Sequence, residues 1–468
     1  MGRANSEIGV AVAVMVVRRQ KGWSSDSEDK LHVDKRIIEW TNGEVTMMES
    51  EFLFVNADVF DGSGRDLFPG TVLVRGNRIV GVSDGSRQLD HSPEARVVDC
   101  SGGTLMPGLI EPHGHLSFTN GRAVEFTFMP VEETMLATVR HAKLALDCGY
   151  TSVFSAASAK PRIDVVLKRE IESGRIPGPR YLACSPELTV TGGLGDTNQV
   201  HLPHNPGTTF SWIVDGKDEV LRACRMFARE GVDTLKVHLS GDLGASSAPS
   251  EQTPFSDEEL AAVVEVAQSR NLRIVCHARS ATSVLRALRY GINIINHANY
   301  ADGEALDALE RAKDRVVVIP AIGVTHSFAY ANGRWNIPPA LSRSFQTELE
   351  ATISSVEKMR KRGIRVLPGG DYGFVCTPHG DYARDLWLFV EVLGYTPMET
   401  LVAATRQAAV VMGMYDEIGV IKENALADLL LIDGNPLDDI SLLQDRARLL
   451  MIMKDGELHK SPPPPRLG

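Results

Sequence analysis

The 468-residue chain has no CxxC pair among its six cysteines, Cys100, Cys148, Cys184, Cys224, Cys276 and Cys376. That spacing excludes a zinc ribbon and a dense disulfide framework, and it predicts buried, reduced thiols in a cytoplasmic protein. Long hydrophobic runs are also missing. The one mostly apolar stretch near the start, residues 8–17, is too short to span a bilayer. It is followed by Arg18-Arg19-Gln20-Lys21, the wrong side for a signal peptide, and by no small-residue cleavage site. Nor is there an excess of positive charge. With 49 Lys and Arg against 60 Asp and Glu, the net charge of −11 argues against broad binding to nucleic acid or membrane, and it favours solubility. At 43% hydrophobic and 23% charged, disorder, collagen and coiled coil are excluded as the dominant state. The length allows several domains, or one large barrel with an accessory domain.

What is present divides into three parts. Residues 1–48, with the polar run 22–35, read as a disordered extension, and a natural start near Met47 or Met48 would suit the fold better. From Glu51 the pattern changes to short β-rich runs, 52–55, 72–74 and 79–82, punctuated by Asp61-Gly62-Ser63-Gly64, Pro69-Gly70 and Gly76-Asn77. The same grammar returns at 427–432 and 449–453, which predicts one β-sandwich built from both ends, 49–108 with 420–468. Between them, in 109–419, apolar strands alternate with amphipathic helices. The strands are read at 105–110, 151–154, 181–184, 234–239, 273–276, 292–296, 316–320 and 365–368. The helices are read at 132–147, 163–173, 217–230, 256–269, 281–290, 303–313 and 345–362. Eight strands over a span close to the ~250 residues of a typical barrel predict an α/β fold, a (β/α)8 TIM barrel.

Active sites of this fold use residues at strand C-terminal ends, and the metal-capable residues fall there. His113 and His115 close the first strand and, two apart on extended chain, point to one side. Two imidazoles aimed at one point suit a divalent cation such as zinc. In Thr234-Leu235-Lys236-Val237-His238 a lysine interrupts an apolar strand. Burying an ammonium costs several kcal/mol unless it is neutralised or changed chemically. Lys236 therefore either pairs with a barrel carboxylate or is N6-carboxylated and bridges two metals. His238 shares its side and is either a substrate contact or a histidine satisfied behind the site. His277 and His297 each end an apolar run, and Asp371 ends the last.

With these residues in place, the chain resembles the metal-dependent amidohydrolase superfamily. The run Pro107-Gly108-Leu109-Ile110-Glu111-Pro112-His113-Gly114-His115, with Lys236, His277, His297 and Asp371, matches its binuclear, lysine-bridged pattern, and the resemblance extends from about Glu51 to the C-terminus. Within the superfamily the chain is similar to the imidazolonepropionase-like, prolidase-type branch. The runs Ser240-Gly241-Asp242, His277-Ala278-Arg279-Ser280 and 367–374 are most similar to the molinate and phenylurea hydrolase subset. The resemblance implies that His113, His115 and Asp371 hold one metal, that His277 and His297 hold the other, and that carboxylated Lys236 and a hydroxide bridge them. Asp371 would take the nucleophile's proton and pass it to the leaving amine. Zinc is expected, with cobalt, manganese or iron acceptable to the same ligands. One departure is Leu194, where relatives of the ochratoxinase kind carry His, which argues against a straightforward dipeptidase.

The expected activity is hydrolysis of a non-peptide C–N bond (amide, urea, carbamate or thiocarbamate) in a small, partly aromatic molecule. The alternative is an Xaa-Pro or N-acyl amino acid dipeptidase. A deaminase is disfavoured because Ser280 stands where such enzymes place a glutamate, and a non-catalytic scaffold because no ligand is lost. Aromatic residues in the mouth loops, Phe210, Trp212, Phe328, Tyr330, Trp335, Tyr372 and Phe374, favour an apolar or aromatic substrate group. Candidate substrate contacts are His238, His201, Arg279, Tyr372 and His379, with His204 and His326 in the same loops. Arg279 either meets a substrate carboxylate or forms a structural ion pair. Expected partners are the small-molecule substrate and a second copy of the chain as a homo-oligomer, with no nucleic acid and no membrane.

Overall fold

The computed structural model describes residues 37–41, 44–48, 50–198, 200–201, 211–243 and 248–462. The stretches at 8–17 and 22–35 lie outside the described residues. Ile37–Thr41 and Glu44–Met48 pair as an antiparallel hairpin with Thr41 opposite Glu44. Ile37, Ile38, Thr41, Val45 and Thr46 are β-branched, which suits extended strands.

Both ends of the remaining chain contribute to one mixed sheet. Its order runs Glu457–Lys460, Leu449–Lys454, Leu429–Asp433, Gly103–Pro107, Glu51–Val59, Phe68–Arg75 and Arg78–Ser83, and Arg96–Asp99 also pairs with Glu51–Val59. The seam between the two ends sets Leu430 opposite Met106. Hydrogen-bond pairing links these strands into one eight-stranded sheet. Side-chain alternation explains how both faces are used. Leu429 and Leu431 pack with Phe54, Val72, Val74 and Met453, while Leu430 and Ile432 pack against Leu116, Leu146 and Tyr150.

The middle is parallel α/β. Strands β1 (Leu109–Gly114) and β2 (Tyr150–Ser155) pair with each other, and β2 pairs with Arg180–Leu182. After the single residue Ala183 the chain continues as β3 (Cys184–Thr189), which pairs in turn with β4 (Thr234–His238), β5 (Arg273–Ser280), β6 (Ile294–Tyr300) and β7 (Val317–Ile319). Trp212–Ile213, absent from the sequence reading, lies parallel on the outer side of β3. A parallel bridge from Val318 to Val366 adds the segment that leads to Asp371, and the strands as paired do not close on themselves among the described residues. Helices Val131–Asp147, Ile163–Glu172, Lys217–Glu230, Asp257–Ser269, Ala281–Arg289 and Gly303–Arg311 fill the connections, close to their predicted positions. The helix read at 345–362 begins earlier, as Pro339–Lys361, because proline is pre-organised for a first helical turn.

The strand read as 105–110 is in fact two. Pro107 has no N–H for a ladder, and Gly108 lies against Thr151 so closely that a Cβ there would sit 2.1 Å from its Oγ1. The chain changes sheets at this point, from Gly103–Pro107 to β1.

Candidate active site

Strand alternation supplies the first part of the site. In β4, Leu235 and Val237 pack into the core shared with the outer helices, whereas Lys236 and His238 line a cavity of about 370 Å³. His113, His115, His277, His297 and Asp371 line the same cavity, so all six ligand-type residues meet there. The Nε2 atoms of His115 and His113 lie 3.1 and 3.6 Å from Asp371 Oδ1. Ring centroids are 5.4 Å apart for His113 and His297, and 4.2 Å for His277 and His297. His113, His297 and Asp371 offer ligand atoms within 4.8 Å of one another, a trio that draws on both of the expected sets.

The electrostatics suit ligands with free lone pairs. Burial holds His113, His277 and His297 well below the usual imidazole range, which leaves them neutral. Burial alone would raise Asp371, but the hydrogen-bonding contact with His115 offsets it and the carboxylate lies below its usual range. His113 Nδ1 and His297 Nδ1 are buried without a hydrogen-bond partner. Lys236 is 1% exposed, and among the described residues no carboxylate lies within ion-pair distance of its ammonium. Of the two fates open to this lysine, the carboxylate partner is therefore not found.

The backbone is strained where the ligands sit. His297, Ala298 and Asp371 have φ of 81°, 51° and 59°, a region that side chains other than glycine rarely adopt. Asp371 is braced by Thr377 Oγ1, which donates to its carbonyl (3.0 Å), and by Asp385, which accepts the Gly369 N–H (2.9 Å). Glu111 accepts the N–H of His113 (2.8 Å).

Of the expected substrate contacts, His238 alone lines the cavity, with Nε2 3.1 Å from Glu187 and Nδ1 3.0 Å from the Leu194 carbonyl. The others lie outside the cavity lining, and for Arg279 the ion-pair alternative is the one observed. Arg279 is buried outside the cavity wall and bonded to Asp242 and Glu348. Tyr372 is 1% exposed in the core, its hydroxyl donating to the Tyr382 carbonyl. His379 sits behind Phe118, bonded to its carbonyl and to the Tyr382 hydroxyl. His201 is exposed and away from the lining. His326 instead meets Arg384. Of the loop aromatics only Phe374 lines the cavity; Trp212 packs on Phe227 and Phe328 on Phe345. Phe210 and His204 lie outside the described residues.

The sequence reading missed Glu187, Phe118, Ala123, Asp242 and 195–197 as cavity lining. Glu187 carries the same signal that singled out Lys236, a charged residue inside a buried strand, and its register partner across the ladder is Lys236.

Residues 104–459 match the amidohydrolase family, and the chain belongs to it. It is an enzyme of that family, whose relatives act on carbon–nitrogen bonds. Ochratoxinase from Aspergillus niger is 27% identical over 376 residues, covering 76% of each chain. Imidazolonepropionase from Ectopseudomonas mendocina (strain ymp) is 25% identical over 442 residues, covering 88% of this chain and 98% of that one. A prolidase crystallised with N-methylphosphonate-L-proline superposes with a TM-score of 0.79 at 28% identity, over 88% of this chain and 100% of that one. Molinate and phenylurea hydrolases, singled out by the short runs, share the fold at 18% and 20% identity. No helix of the described residues is long and apolar enough to cross a membrane.

Proposed function

We propose that this chain is a metal-dependent hydrolase of a non-peptide C–N bond, an amide, urea or carbamate, in a small, uncharged and partly aromatic molecule. The observation that carries this reading is the convergence of His113, His115, Lys236, His277, His297 and Asp371 on one cavity. The donors fit divalent cations: neutral imidazoles, two of them with an orphaned nitrogen, and a buried lysine with no carboxylate at ion-pair distance among the described residues. We assign His113, His115 and Asp371 to one cation and His277 and His297 to the other, with N6-carboxylated Lys236 shared and zinc as the first choice. Such cations, when bound, acidify water and polarise a carbonyl. Asp371 is ionised at neutral pH, accepts the proton of the attacking water and delivers it to the leaving nitrogen.

The rest of the cavity favours an uncharged substrate over the amino acid alternative. Its other carboxylates are already engaged. Asp196 accepts the N–H groups of Gly192 and Asn198 (2.8 and 3.0 Å), Asp242 pairs with Arg279, and Glu187 pairs with His238. No arginine lines it among the described residues, and Phe118, Phe374, Leu194 and Ala123 supply apolar wall. The deaminase reading loses further ground because the Ser280 hydroxyl accepts the Ser283 N–H as the cap of a helix. We read the parallel strands with the Val366 segment as one (β/α)8 barrel over 109–419, beside a composite β domain of 49–108 and 420–468. The six free, buried cysteines support a cytoplasmic enzyme. The test is a screen of zinc-, cobalt- and manganese-loaded protein against anilides, phenylureas, carbamates and N-acyl amino acids, with amine release measured. Ammonia as the only product, from an aminated ring, would move the assignment to deaminase.

A further inference from the structure

We propose that Arg279 is a positioning residue that aligns the His277 and His297 half of the site and fixes Asp242 in the cavity wall, and is not a substrate contact. The proposal rests on the metal-hydrolase reading above.

Strand β5 carries His277 and, two residues on, Arg279. Three bonds from this strand reach three consecutive residues beyond β4. Arg279 N–H donates to Ser240 Oγ (2.9 Å), His277 Nε2 lies 3.0 Å from the Gly241 carbonyl, and Arg279 Nη2 donates to Asp242 Oδ2 (2.7 Å). A carbonyl only accepts, so His277 Nε2 carries the ring proton and Nδ1 keeps the lone pair. The 240–242 segment therefore sets the tautomer of His277, and Arg279 holds that segment at both ends. The opposite side is closed: Asp242 N–H donates to the Ala248 carbonyl (2.8 Å), and a Cβ on Gly241 would lie 1.7 Å from that oxygen.

The second terminal guanidinium nitrogen reaches the next strand and the layer behind it. Arg279 Nη1 donates to Glu348, in the helix Pro339–Lys361, and to Asn299 Oδ1 (3.2 Å), two residues beyond His297. Asn299 in turn donates to Thr352 Oγ1 of that helix (2.7 Å). One buried cation thus ties the ends of β4, β5 and β6 to one helix. A lysine ammonium, a point charge without the planar fork, does not span Asp242 and Glu348 together.

The test uses full-length protein as the Arg279→Lys variant and as the double variant Arg279→Met with Glu348→Gln, which removes a carboxylate along with the cation so that the interior is not left with both unpaired. Zinc alone is the probe, counted per chain after equilibration and gel filtration, with unfolding followed in parallel. Wild type should hold about two zinc ions and both variants about one. On a substrate from the screen, kcat should fall by about 10- to 100-fold while KM stays within about threefold. If the lysine variant does not fold, the double variant decides alone. Variants that keep about two zinc ions, or that raise KM with kcat unchanged, overturn the proposal. Wild type that binds no zinc overturns the functional reading and this inference with it, whereas two zinc ions in wild type and variants alike overturn this inference alone.

Discussion

Replacing Asp371 separates its chemistry from its backbone. At φ 59° the residue occupies the left-handed region, which asparagine tolerates and alanine does not. Asp371→Asn keeps the shape of the side chain and leaves intact the backbone carbonyl that accepts the Thr377 hydroxyl. It removes the negative charge 3.1 Å from His115 and the proton acceptor. General acid–base transfer contributes about 10²- to 10⁴-fold, roughly 3–5 kcal/mol of barrier, so kcat in the zinc-loaded Asn variant should fall by that factor. Asp371→Ala should lose at least as much activity and, in addition, about 1–2 kcal/mol of stability from the left-handed backbone. Amine release and thermal unfolding measured on the same preparations distinguish the two effects. Turnover of Asp371→Asn within about threefold of wild type would refute the assigned proton transfer, and an alanine variant as stable as the asparagine variant would refute the backbone argument.

Two further outcomes follow from other parts of the site. Lys236→Ala should lose the shared ligand and about 100-fold or more of its activity, and short carboxylic acids should restore part of it; a variant with wild-type turnover removes lysine from the metal chemistry. Asp385 is buried and its carboxyl is pushed up to about 7. A group raised on folding contributes stability that is complete below its unfolded value, 3.8, and is lost as pH rises through about 7. Relative to Asp385→Asn, wild type should lose roughly 4 kcal/mol between pH 4 and pH 8. Denaturant midpoints of the two proteins that run parallel across this range contradict the assignment.

The fold was legible where burial imposes a period. Apolar runs marked β2, β4, β5, β6 and β7, and alternation in β4 was enough to place Lys236 and His238 on one side. The metal-capable residues were legible as a set: any one of them alone is usually structural, but His113, His115, Lys236, His277, His297 and Asp371 all fall at strand ends of one fold. Substrate contacts were not, because neighbours in sequence diverge in space. Arg279 lies two residues from His277 yet faces Glu348, and Tyr372 follows Asp371 yet turns into the core beneath Gly370. Phe118, Glu187 and Asp242 come from three different strand ends, and only the parallel order brings them to one cavity. The change of sheet at Pro107-Gly108 had a signal, a proline without an amide donor, but the apolar run on either side masked it.

The most direct test of the central claim is product analysis in ¹⁸O-labelled water with zinc-loaded enzyme and an uncharged anilide or N-aryl carbamate. Hydrolysis of the C–N bond predicts free aryl amine in equal amount to the acid fragment, with label only in that fragment or in the carbon dioxide derived from it. Ammonia with a labelled ring carbonyl as the only turnover, or no turnover across the uncharged substrates while N-acyl amino acids are cleaved, would contradict it.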